Sequence, residues 1–271
     1  MPIGNTDLTA TKNALIVSLV QRELIARSVL MSGALKDASM FAVKGAKSIS
    51  VPRHTSFAVE DRATTVQATL ANITFAVDTI ILDQMSTVSF LVDPQDSIES
   101  AVDVEAAAAA AAGRAHAANF DTLIIAGLEA DSTATTTAGA ISKAIFLEMR
   151  QLLLAAQADP SQLVFLCGPD SEAVLLGIAE FVDASIYGSA VIPSGVLGRL
   201  YGVEVRMSTL VAANRFYMFD KEGYAFAIQQ QLNMGERAAP EYGSKAVLKT
   251  VDMKWGHDKM LNGLVLRKDN N

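Results

Sequence analysis

The sequence has little of the chemistry that enzymes, metalloproteins and disulfide-stabilised proteins need. Its single cysteine, Cys167, excludes an intrachain disulfide framework and any cysteine-based zinc cluster. We interpret its three histidines, His54, His116 and His257, as polar surface residues. The motifs G-x-x-x-x-G-K-[ST], G-x-S-x-G, H-E-x-x-H and G-x-G-x-x-G are absent from the sequence. We therefore expect a protein that is not an enzyme and that has no cofactor and no metal ion.

Charged residues are also few, at 19% of the chain, and 22 lysines and arginines stand against 29 aspartates and glutamates. The resulting net charge of −7 argues against broad neutralisation of nucleic-acid phosphate. Residues 63–77 and 184–198 are the longest uncharged runs, and at about 15 residues each they are too short to cross a bilayer. Asp7, Lys12 and Arg22 interrupt the only candidate for a secretory signal, so we expect synthesis in the cytoplasm and no membrane partner.

Hydrophobic residues are abundant, at 51% of the chain. Since no membrane segment accounts for them, we expect interfaces with other copies to cover the surplus. The longest element predicted is a helix over residues 96–128, about 48 Å at 1.5 Å per residue. Asp96 and Glu99 form a capping-box pattern at its start, and Gly127 marks its end.

The middle of this helix, residues 106–112, is unbroken alanine. Alanine buries little area by itself, so such a helix needs another backbone packed closely against it. We expect the chain's own sheet and neighbouring subunits to supply that backbone.

The remaining pattern predicts an α+β protein. An extended arm is predicted over residues 1–20, and a helix over 15–35 overlaps its end. A two-stranded projection with a bend at Asn72 is predicted over residues 50–77. A helix over 138–158, a buried strand over 163–167 and a helix over 170–181 follow. Strands are then predicted at 194–205 (a pair), 205–210, 216–220, 224–229, 245–254 and 262–267.

Three passages carry a resemblance to a known family. The first runs from Asn72-Ile73-Thr74-Phe75 into Ser97-Ile98-Glu99; the second contains Asn119-Phe120-Asp121 and Gly127-Leu128; the third is the glycine-punctuated stretch 192–205. In this order and spacing the chain resembles the major capsid proteins of tailed bacteriophages, whose Hong Kong 97 fold is shared by encapsulin shells. The likeness covers about residues 43–267.

The resemblance implies a Hong Kong 97-like capsid fold with an N-terminal arm, an extended β-hairpin loop, a peripheral domain with a long spine helix, and an axial domain. It also implies pentamers and hexamers that tile an icosahedral shell around double-stranded DNA, without sequence-specific binding. The implied divisions are 1–47 for the arm and helix, 48–75 for the extended loop, 76–159 for the peripheral domain with spine helix 96–128, 160–222 for the axial domain, and 223–271 for strands that return to the peripheral domain.

Partners and location follow from the same resemblance. Some relatives join a loop lysine to a neighbour's asparagine, but residues 53–98 contain no lysine, so we expect no such cross-link. Because the sequence begins almost at the arm, we expect a separate scaffolding protein together with a portal, and a decoration protein is a further candidate partner. The expected location is the virion, after assembly in the host cytoplasm.

The interface candidates fall into three groups. Charged residues of the extended loop are candidates for ion pairs with a neighbour, glycines shape the axial hairpin, and one alanine of the spine helix marks close packing. They are Arg53, Glu60, Asp61 and Arg62; Gly195, Gly198 and Gly202; and Ala108.

Two alternatives remain open. One is an encapsulin-like compartment that holds enzyme cargo. The other is a nucleotide-binding α/β enzyme, supported only by strand 163–167 and the helix start at Gly168-Pro169-Asp170, where Asp170 would repel a phosphate.

Overall fold

The computed structural model describes residues 5–54, 75–92, 103–134, 141–176, 196–213, 215–242, 246–260 and 265–269. Its helices are α1 (Asn5–Arg27), α2 (Val104–Asp131), α3 (Lys143–Ala155) and α4 (Pro169–Leu176). Its strands are β1 (Lys36–Asp37), β2 (Ser48–His54), β3 (Phe75–Ile81), β4 (Gln84–Val92), β5 (Thr133–Ala134), β6 (Leu163–Cys167), β7 (Val196–Leu200), β8 (Val203–Met207), β9 (Arg215–Asp220), β10 (Tyr224–Ala238), β11 (Val247–Lys259) and β12 (Val265–Asp269).

The first sheet has four strands in the order β1-β10-β11-β4. β10 and β11 form a long antiparallel hairpin, β4 pairs antiparallel with β11, and β1 pairs parallel with β10. Helix α2 packs against this sheet, where the ring of Phe120 lies 4.5 Å from Trp255 and 5.3 Å, edge to face, from Phe226 between ring centroids. These aromatic contacts centre the first hydrophobic core.

The second sheet has six strands in the order β5-β12-β9-β6-β8-β7. Its central strand β6 is buried at every residue, because Val164 and Leu166 face the first core while Phe165 and Cys167 face a second core beneath α3. A strand covered on both faces is expected to be a continuous apolar run, and the predicted strand over 163–167 has these bounds.

A ribbon of two antiparallel strands, β2 and β3, forms a separate sheet. Ser48 lies opposite Ile81 at one end of the ribbon, and His54 lies opposite Phe75 at the other. Its inward residues pack in a third cluster with β10. The predicted projection over 50–77 therefore contains paired strands, while the predicted bend at Asn72 lies outside the described residues.

The predicted extended arm over residues 1–20 is wrong from residue 5 onward, because α1 is helical from Asn5 to Arg27. Ile16, Val20 and Leu24 are spaced four residues apart and are buried. Helices gain most of their stability from packing of such a face rather than from intrinsic propensity. The helix also ends at Arg27 instead of fading near Gly33.

The predicted bounds 96–128 of the spine helix are wrong at both ends. Asp96 and Glu99 lie outside the described residues, and α2 begins at Val104 after an extended Asp103, whose carboxylate accepts a hydrogen bond of 3.1 Å from the Ala106 amide. The helix passes through Gly127 and ends at Asp131, for a length of about 42 Å.

Gly127 is a site of close approach rather than a helix stop. A Cβ atom at this position would overlap the hydroxyl of Tyr224 and would lie 2.7 Å from the His257 ring. Glycine therefore lets α2 approach the four-stranded sheet, and the helix continues for another turn.

The last two long strands and the final strand lie in different sheets. β10 and β11 join β4 beside the spine helix, whereas β12 pairs antiparallel with β9 and parallel with β5 in the six-stranded sheet. The predicted divisions, including 223–271 for returning strands, stay predictions.

Candidate assembly site

The alanine-rich part of the spine helix packs on α1. Ala109, Ala112, Gly113 and Ala117 are buried, and a Cβ atom at Gly113 would lie 2.7 Å from the Val20 carbonyl oxygen. Small side chains allow this approach of two helix backbones. The predicted need for a closely packed backbone is met here by α1 of the same chain rather than by a sheet.

The opposite side of the same helix carries small residues that are exposed in the chain by itself. Ala108 lies at the margin between the two sides and is half-buried. The exposed small residues are Ala107, Ala111, Ala115, Ala118 and Ala126.

A buried carboxylate fastens the segment after α1 to the spine helix. Asp121 accepts hydrogen bonds from the Ser28 hydroxyl at 2.7 Å, the Val29 amide at 2.9 Å and the Leu30 amide at 3.3 Å. Burial raises the pKa of Asp121 above its usual value, and these hydrogen bonds and the nearby Arg206 oppose the shift without reversing it. The carboxylate replaces water for two backbone amides that α1 leaves free after its end.

The same segment is bound from the other side by the six-stranded sheet. Arg206 of β8 donates to the Val29 carbonyl, to the Ser32 hydroxyl at 2.7 Å and to the Ser32 carbonyl at 2.9 Å. Burial alone would raise the pKa of Glu204, but Lys221, 2.9 Å away, and Arg206 together lower it. Residues 28–32 therefore join the spine helix to the second sheet through charge-assisted hydrogen bonds.

A second polar cluster fixes the first turn of the spine helix. Lys249 of β11 is buried, and its Nζ lies 3.3 Å from the carboxylate of Glu105 on α2 and 3.4 Å from that of Glu236 on β10. A buried ammonium needs such partners because removal from water is costly. This cluster holds α2 at its first turn, and Asp121 holds it in its second half.

The ribbon has one covered and one uncovered face. Ile49, Val51 and Ile80 are buried, whereas Val77 and Ile81 are each 55% exposed. We call the uncovered side the outer ribbon face; it is composed of Ser48, Ser50, Pro52, Val77, Thr79 and Ile81. None of these residues is charged, which is unusual for a surface that only water covers.

The hairpin β7–β8 turns through two residues with positive φ, Tyr201 at 50° and Gly202 at 84°. Such two-residue turns match the natural twist of paired strands. Gly198 has a φ of 137° and lies where the pairing register shifts between Val196 and Gly198. Two of the glycines assigned to this hairpin thus occupy positions that disfavour a side chain.

The predicted interface residues do not form one cluster. Arg53 pairs in register with Ala76 in the ribbon, Ala108 lies on α2, and Gly198 and Gly202 lie in the β7–β8 hairpin. Glu60, Asp61, Arg62 and Gly195 lie outside the described residues. The role of all of them in subunit contacts stays a prediction.

Residue-level analysis of the sequence missed Gly113, Asp121, Arg206 and Lys249. Only Asp121 gave a usable signal, because an ionisable residue beside Phe120 on an apolar helix face needs partners when it is buried. The interpretation of His116 as a surface residue is wrong, since it is 1% exposed.

The turn after β8 packs against the segment suspected of binding a phosphate. Gly168 faces the Val211 carbonyl, which lies 3.2 Å from a Cβ built on it, and the Ser208 amide donates to the Cys167 carbonyl at 3.0 Å. Burial raises the pKa of the Cys167 thiol to about 12, so it is not ionised at neutral pH.

In the described part of the chain, no helix has the length and apolar character needed to cross a membrane.

No protein-family model matches the chain, and no curated protein matches its sequence. Solved structures are similar over most of its length. A chain of Mycobacterium phage Che8 has a TM-score of 0.63 at 20% identity, with 82% of this chain and 84% of that chain covered. The capsid of cyanophage P-SCSP1u has a TM-score of 0.64 at 13% identity, with coverage of 90% and 89%.

The virus-like particle from Pyrococcus furiosus is similar as well, with a TM-score of 0.65 at 14% identity and coverage of 95% of this chain and 99% of that chain. At these identities the similarity establishes the fold. The protein has the Hong Kong 97-type capsid fold, which confirms the predicted α+β fold class.

Proposed function

We propose that this protein is a capsid protein whose function is to assemble with copies of itself into a shell. The observation that carries the proposal is the shared fold, which extends over 90% of this chain for a phage capsid. The proposed role is structural rather than catalytic.

The local geometry supports this role. Asp121 and Lys249 fasten α2 to the rest of the chain, so a preformed unit can dock without refolding. The outer ribbon face remains uncovered among the described residues and has the uncharged character of the centre of an interface. Many such contacts, each weak, add up in a closed assembly.

In its finer form, the proposal is an icosahedral shell of pentamers and hexamers that encloses phage double-stranded DNA. A net charge of −7 suits a container that does not grip nucleic acid tightly. The proposed partners are a separate scaffolding protein, a portal and a decoration protein. The proposed location is the virion, after assembly in the host cytoplasm.

A second candidate is an encapsulin-like compartment with protein cargo. The observation that favours it is the coverage of 99% of the virus-like particle chain from Pyrococcus furiosus. Both candidates use the same shell geometry, and the contents of the shell distinguish them.

The contents of purified particles test the finer proposal. Particles from the natural source should contain nuclease-protected double-stranded DNA of uniform length after external nucleic acid is digested. Particles with a stoichiometric enzyme and no protected DNA would favour the compartment and would contradict the DNA-enclosing shell.

A further inference from the structure

Two of the three histidines lie where the spine helix meets the four-stranded sheet. His116 is on α2 and is 1% exposed. His257 is on β11, and its ring lies within 3 Å of where a Cβ atom on Gly127 of α2 would be. The strands and helices of the six-stranded half contain no histidine, since the third one, His54, is in the ribbon.

His116 is buried with no well-formed hydrogen bond. Neither of its ring nitrogens has a partner of ordinary hydrogen-bond geometry among the described residues, although the Val251 main chain is close enough to favour the protonated ring. Burial lowers the pKa of His116, while the Val251 main chain and the Asp252 carboxylate oppose the shift without reversing it. A charge on this ring would be buried beneath the helix, where the Val251 main chain and the Asp252 carboxylate compensate it only in part.

His257 is held more specifically. Its Nδ1 shares a hydrogen bond of 2.6 Å with the Tyr224 hydroxyl, and its ring stacks on Tyr224 at 5.8 Å between centroids. Burial lowers the pKa of His257, and the carboxylates of Asp258, Asp83 and Asp131 oppose the shift.

We propose that the contact between α2 and the four-stranded sheet is an acid-sensitive joint, in which His116 and His257 take up protons below neutral pH and loosen the helix from the sheet. This property belongs to the single chain and goes beyond the proposed shell function. The charged groups that face the joint are Asp252 and Asp258 on β11, Asp83 before β4, Asp131 at the end of α2, and Glu23 on α1 beside Gly113.

The direction of the effect follows from linkage. In the folded chain both histidines have a pKa below the unfolded value of 6.5, so the unfolded chain binds more protons. The stability from the neutral rings is complete above pH 6.5 and is lost as the pH falls towards and through the folded values. Each histidine changes the folded-to-unfolded ratio by at most about tenfold per pH unit.

Hydrogen exchange read by mass spectrometry between pH 8 and pH 5 tests the joint in the wild-type chain. Exchange at the histidine C2 carbon reports the titration of each ring, with His54 as the internal reference. We expect His116 and His257 to titrate at lower pH than in the denatured chain. After correction for the intrinsic pH dependence of exchange, we expect α2 amides to lose several-fold more protection than α3 amides as the pH falls.

Variants isolate the contribution of the rings. The urea midpoint of His116→Gln should fall less between pH 7 and pH 5 than that of the wild type, whereas the control His54→Gln should follow the wild type. Asp121 and Asp258, whose pKa values are raised by burial, are present in every variant, so their titration cancels in the comparison. Titration of both rings at ordinary pH, or equal loss of protection in α2 and α3, would overturn the proposal even if the variant does not fold.

Discussion

At the scale of single residues, a few atoms decide how closely the elements of this fold approach one another. Gly113 and Gly127 remove side chains where α2 meets α1 and the four-stranded sheet, and Asp121 supplies acceptors for two free amides. These residues act through distance and hydrogen bonding rather than through apolar area. Their effects can be measured by single substitutions.

Gly113→Ala should destabilise the chain although alanine favours a helix by about 1 kcal/mol. The new Cβ atom would lie 2.7 Å from both the Val20 carbonyl oxygen and the Glu23 Cβ atom, so α1 must move. We expect a net loss of about 1 kcal/mol, since overpacking costs about 1–3 kcal/mol. Urea unfolding measures the loss. Gly235→Ala, where nothing lies within 4 Å, is the matched control, and equal midpoints for the two variants would contradict the close approach.

Asp121→Ala should reduce the free energy of unfolding by about 3 kcal/mol, because it leaves the Ser28 hydroxyl and the Val29 and Leu30 amides without their acceptor. Asp103→Ala on the same helix removes only an exposed cap and should cost about 1 kcal/mol. Urea unfolding of the two variants gives the comparison, and a smaller loss at Asp121 than at Asp103 would refute its role as a fastening residue.

At the scale of elements, the sequence predicted the segments whose packing produces a regular pattern of apolar residues. It missed the features that depend on contacts between residues distant in sequence. Strand β6 was predicted with its observed bounds because burial on both faces produces an uninterrupted apolar run. Helix α1 was predicted in part as an extended arm because it is stabilised by packing on the buried alanines of α2, which lie about 90 residues away in sequence. The spine helix was extended to Asp96 because a capping pattern cannot tell which of two aspartates is used.

The turn between β7 and β8 is an element whose glycine requirement is testable. Gly202 has a φ of 84°, which β-branched residues tolerate poorly. Gly202→Val should cost about 1–2 kcal/mol, whereas Gly202→Asn should cost less because asparagine tolerates the left-handed region. Thermal unfolding followed by circular dichroism compares them, and identical melting temperatures would contradict the turn geometry.

The margin of the spine helix is the second element that can be tested. Ala108→Leu adds bulk at a half-buried position and should reduce shell formation while most of the chain still folds. Ala112→Leu adds the same bulk at a buried position against α1 and should lower the yield of folded protein. Soluble yield and particle yield are measured for each variant. Equal loss of both for Ala108→Leu would contradict an assembly role at this position.

At the scale of the whole molecule, fold and surface differ in how far the sequence predicted them. The order of elements was sufficient for the capsid fold, which structural comparison confirms. The candidate site was not predicted as a unit, since Asp121 and Arg206 are 85 positions apart in sequence and are brought together where both bind residues 28–32. Contacts of this kind depend on the folded chain and leave no local pattern.

The outer ribbon face gives the whole-molecule prediction. In the double variant Val77→Ser and Ile81→Ser, two half-exposed apolar side chains are lost from the ribbon while the buried Ile80 is unchanged. We expect the stability of the single chain to change by less than about 1 kcal/mol. Assembly should fail, because every copy in a shell repeats the loss.

Electron microscopy with sedimentation velocity tests the central claim most directly. Wild-type protein and the double variant are each co-expressed with the proteins encoded next to this chain and are compared at equal concentration. We predict closed shells of uniform size for the wild type and small soluble species of unchanged circular dichroism for the variant. A monodisperse monomer for the wild type, under conditions in which those neighbouring proteins are present, would contradict the claim that this chain builds a shell.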